Sequence, residues 1–398
     1  MMSVGTRARR RRAWSGALAV VALTSVTLSA CGTAATTSPG QPAARDASLA
    51  LATSIETSDG TWATIPMGHL DQPLNTFWQL FFRPGGTARW TNEVSSLAVA
   101  TNGGLLIASP GGPQLAVGIR PSDLLSFSPV LVQPSHGQPW SPVAPVASLA
   151  AHPNALAVGA HGRALALSTS GQRGEVLAST PDMASWGVVT TGSALASSAP
   201  GRACVIGSLT AVGWAEGHVA VAAACRTAGV VGILVRSAGG WRLAGPKLPV
   251  AGTVTVRALV PTAVGLCALL TVSDASHTSL YAAWMVSPTA WRLSPALQIP
   301  SAQVLSVGPD GSSGTYVVLH RREAAVTSAF TIAGPGKSWS TLPAPPAHTV
   351  TLAFGPRGTL DALSADNTVF TDWTLARGSA HWTRIQTTTV PIEFGTSG

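Results

Sequence analysis

The sequence predicts an all-β protein in which seven similar units form a β-propeller, and three observations carry this prediction. Glycine (41 residues) and proline (29) are abundant, whereas only 10% of residues are charged, a composition typical of short strands joined by turns. Short apolar runs recur without a sustained helical period. From position 90 onward a tryptophan recurs at intervals of 43 to 55 residues, and a period of about 40 to 50 residues indicates a propeller.

Each of these tryptophans follows a turn and begins the predicted last strand of its unit. The context repeats: an apolar run comes first, then Gly, Ser or Pro residues, then the tryptophan. We therefore expect the seven to occupy the same place in seven blades, near the turn before the outer strand and packed against a neighbouring blade. They are Trp90, Trp140, Trp186, Trp241, Trp291, Trp339 and Trp382.

One unit can be followed strand by strand. Residues 253–259 are predicted to form its inner strand, next to the axis, and residues 264–272, 280–286 and 291–297 the three strands that follow outward. Each segment is apolar or β-branched and is bounded by turn residues. Because stacked blades bury both faces of every sheet, we expect near-continuous apolar runs in place of strict alternation.

The first unit is one strand short, since it offers only residues 61–67, 76–82 and 89–93. A spare apolar segment, residues 390–394, follows the last outer strand. We predict that this segment supplies the missing inner strand of the first blade and closes the ring, because open sheet edges invite aggregation. The alternative is that it is a frayed tail.

The first 30 residues have the pattern of an export signal. Five arginines between positions 7 and 12 precede an apolar run of 16 residues, from 13 to 28, shorter than the ~20 needed to span a bilayer. The ending Leu28-Ser29-Ala30-Cys31 resembles the lipobox of bacterial lipoproteins. This resemblance implies cleavage before Cys31, a diacylglyceryl group on its sulfur, and anchoring at the membrane outside the cytoplasm. Ordinary secretory cleavage and an uncleaved membrane helix are the alternatives.

Three segments follow from these patterns. Residues 1–30 are predicted to be a lipoprotein signal peptide, and residues 58–398 the propeller. Residues 31–57 are rich in Ala, Thr, Ser and Pro and cannot bury enough apolar area to fold alone, so we predict a flexible tether.

The charge of the mature chain excludes a nucleic-acid-binding role. The whole sequence has a formal charge of +8, but five of its 24 basic residues, and none of its 16 acidic ones, lie in the signal peptide. The remaining 24 − 5 = 19 bases against 16 acids leave +3, without the clustered bases that such a partner requires.

Three cysteines remain after Cys31, so at most one disulfide can form within the chain. Cys204 and Cys225 are separated by two strand-like runs, and an exported protein lies where disulfides form. We predict the bond Cys204–Cys225, while pairing of either with Cys267 stays open because spacing alone does not fix connectivity. No Cys-x-x-Cys or Cys/His cluster indicates a metal site.

The segment from Thr180 to Trp186, Thr-Pro-Asp-Met-Ala-Ser-Trp, resembles the Asp-box hairpin of sialidase-like propellers. The resemblance implies that Thr180 and Asp182 brace a turn and that Trp186 packs between blades, far from any active site. It does not imply sialidase chemistry, because the arginine triad and the Tyr–Glu nucleophile pair of those enzymes have no counterpart. The two tyrosines, Tyr281 and Tyr316, lie in apolar strand runs and are expected to pack in the core.

No other pattern indicates catalysis. His152 and His161 are interpreted as turn residues, and Asp361 and Asp366 as solvated ends of a strand. The signatures of hydrolase, zinc-peptidase, phosphate-binding and dinucleotide-binding sites are missing from the sequence. We therefore predict no catalytic residue, no metal and no cofactor.

The sequence thus predicts a lipid-anchored cell-envelope propeller that acts as a non-catalytic binding or scaffold protein. Its expected partners are membrane lipid, through Cys31, and a protein or carbohydrate ligand bound at the mouth of the central channel. The alternative is a sialidase-like glycoside hydrolase or lyase, which a carboxylate pair on the inner-strand loops would favour.

Overall fold

The computed structural model describes residues 51–70, 75–97, 101, 103–119, 130–142, 153–168, 174–183, 185–274, 277–299, 302–321, 324–355 and 358–391. The predicted signal peptide, Cys31 and most of the predicted tether lie outside this part of the chain. Within it, no helix has the length and apolar character needed to cross a bilayer.

Seven antiparallel sheets form a seven-bladed propeller, as the sequence predicted. In each blade four strands follow one another from the inner position A to the outer position D. The first blades are β1 (Thr53–Glu56), β2 (Gly60–Gly68), β3 (Thr76–Pro84) and β4 (Thr91–Asn92); β5 (Leu105–Ala108), β6 (Leu115–Ile119), β7 (Val130–Gln133) and β8 (Ser141–Pro142); and β9 (Pro153–Val158), β10 (Ala164–Ser168), β11 (Glu175–Ser179) and β12 (Trp186–Thr191).

The last four blades have the same order. They are β13 (Ile206–Ala215), β14 (His218–Cys225), β15 (Gly232–Ser237) and β16 (Gly240–Leu243); β17 (Thr253–Thr262), β18 (Gly265–Ser273), β19 (Thr278–Ser287) and β20 (Ala290–Leu293), with β21 (Leu297–Gln298) beside β19; β22 (Gln303–Pro309), β23 (Thr315–Arg321), β24 (Val326–Ile332) and β25 (Ser340–Thr341); and β26 (Thr349–Phe354), β27 (Leu360–Asp366), β28 (Val369–Leu375) and β29 (Trp382–Thr389).

The inner strands β1, β5, β9, β13, β17, β22 and β26 contact one another in a closed ring. An apolar cluster fills the space at every junction between blades, so both faces of each sheet are buried. The channel inside this ring has two ends. At the D–A end the outer strand of one blade leads into the inner strand of the next, and at the A–B end each inner strand turns into strand B.

The prediction for the first blade was wrong. Its inner strand is β1, which pairs with β2 and begins inside the segment assigned to the tether. Of the C-terminal segment, residues 390 and 391 are described, and Val390 belongs to the last blade: its N–H donates to the Thr368 carbonyl at 2.8 Å and its side chain is buried. Because the position that it was expected to fill is occupied by β1, the ring closes without an exchanged strand.

Hydroxyl groups hold β1 in this position. Ser54 Oγ donates to the Leu352 carbonyl at 2.6 Å and lies 3.1 Å from the Tyr316 hydroxyl. Ala52 also forms a parallel bridge with Ser306 on β22. The strand is thus attached to the sixth and seventh blades. Gly308 leaves room for Tyr316, since a Cβ there would stand 2.7 Å from the hydroxyl.

A short helical insertion separates the third and fourth blades. It contains α1 (Gly192–Ser197) and α2 (Ala199–Cys204), whose N-caps are Thr191 and Ser198. A 3-10 turn, Val94–Leu97, is a further helical segment. The end of α2 is joined to β14 by the disulfide Cys204–Cys225, which confirms the predicted pairing. Cys267 is a free, buried thiol.

The repeated tryptophans lie at the start of the outer strands or directly before them. Three of them make the same contact with the preceding blade. The indole N–H of Trp291 donates to the carbonyl of Ala244 at 2.5 Å, and those of Trp339 and Trp382 donate to the carbonyls of Pro295 and Pro343 at 3.2 and 3.3 Å. Each acceptor lies just after the outer strand of the blade before it. The period of the sequence therefore corresponds to a hydrogen bond that ties each of these blades to its predecessor.

Candidate functional site at the ends of the channel

A buried ion pair joins the first and last blades at the A–B end. Arg83, on β3, forms it with Asp361, on β27. Arg83 also donates to Thr61 Oγ1 at 3.0 Å and to the Phe354 carbonyl at 2.6 Å, and Asp361 accepts from Thr374 Oγ1 at 2.7 Å. The expectation that Asp361 lies at a solvated strand end is wrong, since its side chain is buried. The carboxylate can be buried because Arg83, distant in sequence, neutralises its charge.

The same junction has three further contacts between side chains or between a side chain and the backbone. The side-chain amide of Gln386 on β29 bonds both backbone groups of Trp90 at 2.9 Å, and the rings of Phe81 and Phe370 stack with centroids 4.1 Å apart. The Arg83 guanidinium lies over the Trp90 ring, 4.8 Å from its centroid. The backbone contributes as well, because the Gly68 N–H at the end of β2 donates to the Asn367 carbonyl of the last blade at 2.8 Å.

A second carboxylate, Asp372 on β28, lies next to this ion pair. Its side chain is 1% exposed, and neither oxygen has a hydrogen-bond partner in the described part of the chain. Burial raises the pKa of Asp372 from 3.8 to about 7, although the charge of Arg83 acts in the opposite direction. The group is therefore largely neutral in slightly acidic solution.

This pKa shift predicts a pH dependence of stability. Because the folded state keeps a proton that the unfolded chain releases, the free energy of unfolding falls as the pH rises from about 4 to about 7, by at most about 4 kcal/mol from this group. Asp372→Asn cannot ionise, so the variant should lose that part of the fall. Urea unfolding of both proteins at pH 5 and pH 8 measures the difference. An equal change with pH in the two proteins would contradict the assignment.

A small pocket of about 190 Å³ opens at the A–B end beside this junction. Glu56, Thr61, Arg83 and Phe354 line it together with turn glycines. Burial raises the pKa of Glu56, Arg83 lowers it, and Asp310 raises it further. Most of the charged groups around this pocket are already engaged in holding the structure.

Asp310 illustrates this engagement. Its Oδ1 accepts hydrogen bonds from the backbone N–H groups of Ser312 and Gly314, at 2.9 and 2.8 Å, and from Ser312 Oγ at 2.8 Å. The carboxylate therefore braces its own turn. Among the described residues, no group of three or more His, Cys, Asp or Glu side chains could hold a metal ion.

The D–A end has a different construction. In five consecutive blades, the third to the seventh, the pairing between strands A and B skips one inner-strand residue at an equivalent place, which forms a β-bulge. The fourth blade has a second bulge, at Gly207. Bulges redirect side chains and are frequent next to functional sites. The skipped residues are Asn154, Thr210, Arg257, Leu305 and Val350.

The bulge residues divide this end into two halves. Leu305 and Val350, in the sixth and seventh blades, pack against apolar clusters, on the side where β1 is attached. Asn154, Thr210 and Arg257, in the third to fifth blades, are polar. Exposed hydrogen-bonding side chains, Ser208, Thr253 and Arg257, lie on the inner strands of the fourth and fifth blades. These three side chains make this half of the D–A end polar and accessible, whereas the side-chain oxygens of Asn154 and Thr210 are buried.

The Asp-box-like segment lies elsewhere, in the turn between β11 and β12. Thr180 Oγ1 donates to Asp182 at 2.5 Å and accepts from the Ser185 N–H at 3.2 Å. Met183 stands at the glycine position of the motif with φ of 56°, and its side chain is buried with Trp186 packed against the same cluster. The turn is braced by its own side chains and faces the A–B end.

Comparisons with known proteins support the fold alone. No family model and no curated protein matches the chain. A solved structure from Lactobacillus plantarum has a TM-score of 0.53 at 14% identity, over 83% of this chain and 96% of that one. A putative 6-phosphogluconolactonase from Bacteroides fragilis has a TM-score of 0.54 at 10% identity, over 84% and 96%.

A third solved structure shows that the fold can be part of a larger protein. It is the xyloglucanase of Xanthomonas campestris, of family GH74, with a TM-score of 0.53 and 14% identity. The match covers 81% of this chain but only 51% of the enzyme. At such identities the resemblance describes the architecture of the blades and carries no activity to this chain.

Proposed function

We propose that the protein is a lipid-anchored propeller of the cell envelope that binds a ligand or partner at the D–A end of its channel. The polar half of that end carries this proposal, because hydrogen-bonding side chains are exposed there on the inner strands. At the A–B end, by contrast, Asp361 and Asp310 are engaged in the ion pair with Arg83 and in a turn. A binding role needs accessible polar groups, whereas hydrolysis of a glycoside needs two available carboxyl groups.

The proposed location rests on the N-terminal sequence and on the disulfide. The lipobox-like ending at Cys31 favours a lipid anchor, and a disulfide is typical of proteins outside the cytoplasm. Because β1 runs from the D–A end to the A–B end, the preceding chain joins the propeller at the D–A end, where Leu51 packs against the cluster between the fifth and sixth blades.

Replacing Cys31 tests the anchor. We expect Cys31→Ala to release the protein from the membrane fraction or to leave the precursor uncleaved, because the sulfur that would carry the lipid is missing. Cell fractionation with mass determination measures both effects, and Cys267→Ala is the matched control. A Cys31→Ala protein of mature mass that stays in the membrane fraction would contradict lipidation.

A pair of serine variants tests the binding site. Ser208 and Ser58 are both exposed, at the D–A and A–B ends respectively. We expect the chain to bind members of an array of oligosaccharides and peptides, Ser208→Trp to lose that binding, and Ser58→Trp to keep it. An array without any bound member, or the reverse pattern between the variants, would contradict a binding role at the D–A end.

A glycoside hydrolase or lyase is the second candidate, and Glu56 is the observation that favours it. Its raised pKa and its position in a pocket are properties of a general acid. If the protein cleaves glycosides, Glu56→Gln should abolish the activity while leaving the unfolding temperature unchanged. An activity that survives this substitution would exclude the role.

A further inference from the structure

We propose that the D–A end of the junction between the fifth and sixth blades binds an oxyanion, carboxylate or phosphate, between Arg257 and Arg321. The inference rests on the proposed function, since it assigns a ligand class to the same end of the channel. Two sheet faces, one from each blade, form this junction, and their side chains become polar toward the D–A end.

The face of the fifth blade that packs against the sixth is apolar in its middle and polar near the D–A end. Cys267 and Leu269 on β18 pack in one cluster with residues of the sixth blade. Because side chains alternate along a strand, Thr271 and Ser273 lie on that same face further along. Their partners in the register, Thr255 and Thr253 on β17, share it, since opposite residues of a strand pair point to one side. Four hydroxyl groups thus continue the face beyond its apolar part.

Arg257 is fixed above these hydroxyl groups. Its bulge position interrupts the pairing of β17 with β18, and its Nε donates to Thr271 Oγ1 at 3.0 Å. Thr271 in turn donates to the Thr255 carbonyl at 3.4 Å and is buried. One of the five N–H donors of the guanidinium therefore orients the group. The terminal nitrogens make no hydrogen bond to the described residues and are available to a ligand.

The sixth blade supplies a second cation. Leu319 on β23 packs in the same cluster as Leu269. Arg321 follows two residues later on the same strand, so it lies on the same face, and it is exposed. Two arginines thus lie on facing sheets near the D–A end of one junction.

Neither arginine has a counter-ion in the part of the chain that the structure describes, where Arg83 pairs with Asp361 and the other close contacts of basic with acidic groups are those of His136 with Glu93 and His277 with Asp274. Burial lowers the pKa of Arg257, and no neighbouring carboxylate raises it. A positive charge that protein atoms partly desolvate without pairing it is stabilised by a bound anion. Arginine side chains suit this role because their planar donors match the oxygens of carboxylate and phosphate.

Inorganic phosphate is the first probe, titrated calorimetrically into the chain that begins at Cys31 without lipid, at constant ionic strength. We expect saturable binding that weakens at least tenfold in Arg257→Gln and in Arg321→Gln. The control Arg292→Gln, at an exposed site on β20, should bind like the wild type. Acetate replaces phosphate in a parallel titration.

Vesicles distinguish a free anion from a lipid headgroup. Binding to vesicles of phosphatidylglycerol but not of phosphatidylcholine, lost in Arg257→Gln, would assign the site to a headgroup even without binding of free phosphate. The proposal is overturned if neither phosphate, acetate nor these vesicles bind, or if Arg257→Gln and Arg292→Gln bind them alike. In that case the proposed function would still hold if the wild type binds members of the array and Ser208→Trp abolishes that binding. Failure of the anion site and failure of the proposed function are therefore distinguishable.

Discussion

Arg83→Met will lower the free energy of unfolding by about 3 to 5 kcal/mol, because it leaves the buried Asp361 without its counter-ion. The loss falls on the junction between the first and last blades, which no strand of the described residues closes by joining both sheets. Denaturant unfolding followed by tryptophan fluorescence measures it. The matched control is Arg89→Met. Arg89 is an exposed arginine on the connection between β3 and β4, so its replacement should change the free energy of unfolding by less than about 0.5 kcal/mol.

A second substitution separates charge from packing at this junction. If Arg83→Met is destabilising because it leaves a buried carboxylate without a counter-ion, the double variant with Asp361→Leu should regain part of the lost stability. Replacing both partners by apolar groups removes the uncompensated charge. A double variant that is less stable than the single one would show that the packing of Arg83, and not its charge, closes the ring.

Removing β1 will have the largest effect of all, because the strand completes the first blade and occupies the channel beside the sixth and seventh. A chain that begins at residue 57 exposes the edge of β2 and leaves the Tyr316 hydroxyl and the Leu352 carbonyl without Ser54. We expect it to lack a cooperative unfolding transition. A chain of residues 51–391 should unfold like one of residues 51–398.

Two outcomes would contradict this assignment. One is a cooperative transition of normal stability in the chain that begins at residue 57. The other is loss of folding on removal of residues 392–398, which would return the closing role to the C-terminal segment. Ser54→Ala provides a milder variant, with an expected loss of about 1 to 3 kcal/mol from the buried groups left unsatisfied.

The blade architecture could be predicted because it repeats. Each tryptophan marks the start of an outer strand, and Trp291, Trp339 and Trp382 bond the preceding blade at equivalent places. The disulfide was also predictable, since the hairpin of β13 and β14 returns the chain to Cys204 at Cys225. These features depend on neighbours that are close in sequence or equivalent in consecutive units.

The closure of the ring could not be predicted in the same way. The segment Thr53–Glu56 has only four residues, rich in hydroxyl groups, and resembles the tether that precedes it. The side-chain hydrogen bonds that hold it in the ring are those of Ser54 with Tyr316 and Leu352, which are 262 and 298 residues away. The pairing of Arg83 with Asp361 spans 278 residues, so neither partner has a local signal of the other.

The candidate site was expected at the channel mouth, but its residues were not identified from the sequence. Arg257 interrupts the apolar run from Val254 to Val260, and a lone charge in a buried strand is a signal that a sequence analysis could use. What it could not show is the β-bulge, because the shift of register depends on the partner strand. The position of Arg321 on the facing sheet depends likewise on how the blades stack.

The central claim is that Arg83, at the A–B end of the channel, holds the first and last blades together, whereas Arg257, at the D–A end, binds an anionic ligand. The most direct test is the thermal unfolding temperature of the wild type, Arg83→Met and Arg257→Gln, each measured with and without saturating phosphate. For Arg83→Met the account predicts a lower unfolding temperature than that of the wild type, and this temperature still rises when phosphate is added. For Arg257→Gln it predicts the unfolding temperature of the wild type without phosphate and no rise when phosphate is added. An Arg257→Gln protein that phosphate stabilises as much as the wild type, or an Arg83→Met protein of wild-type stability, would contradict it.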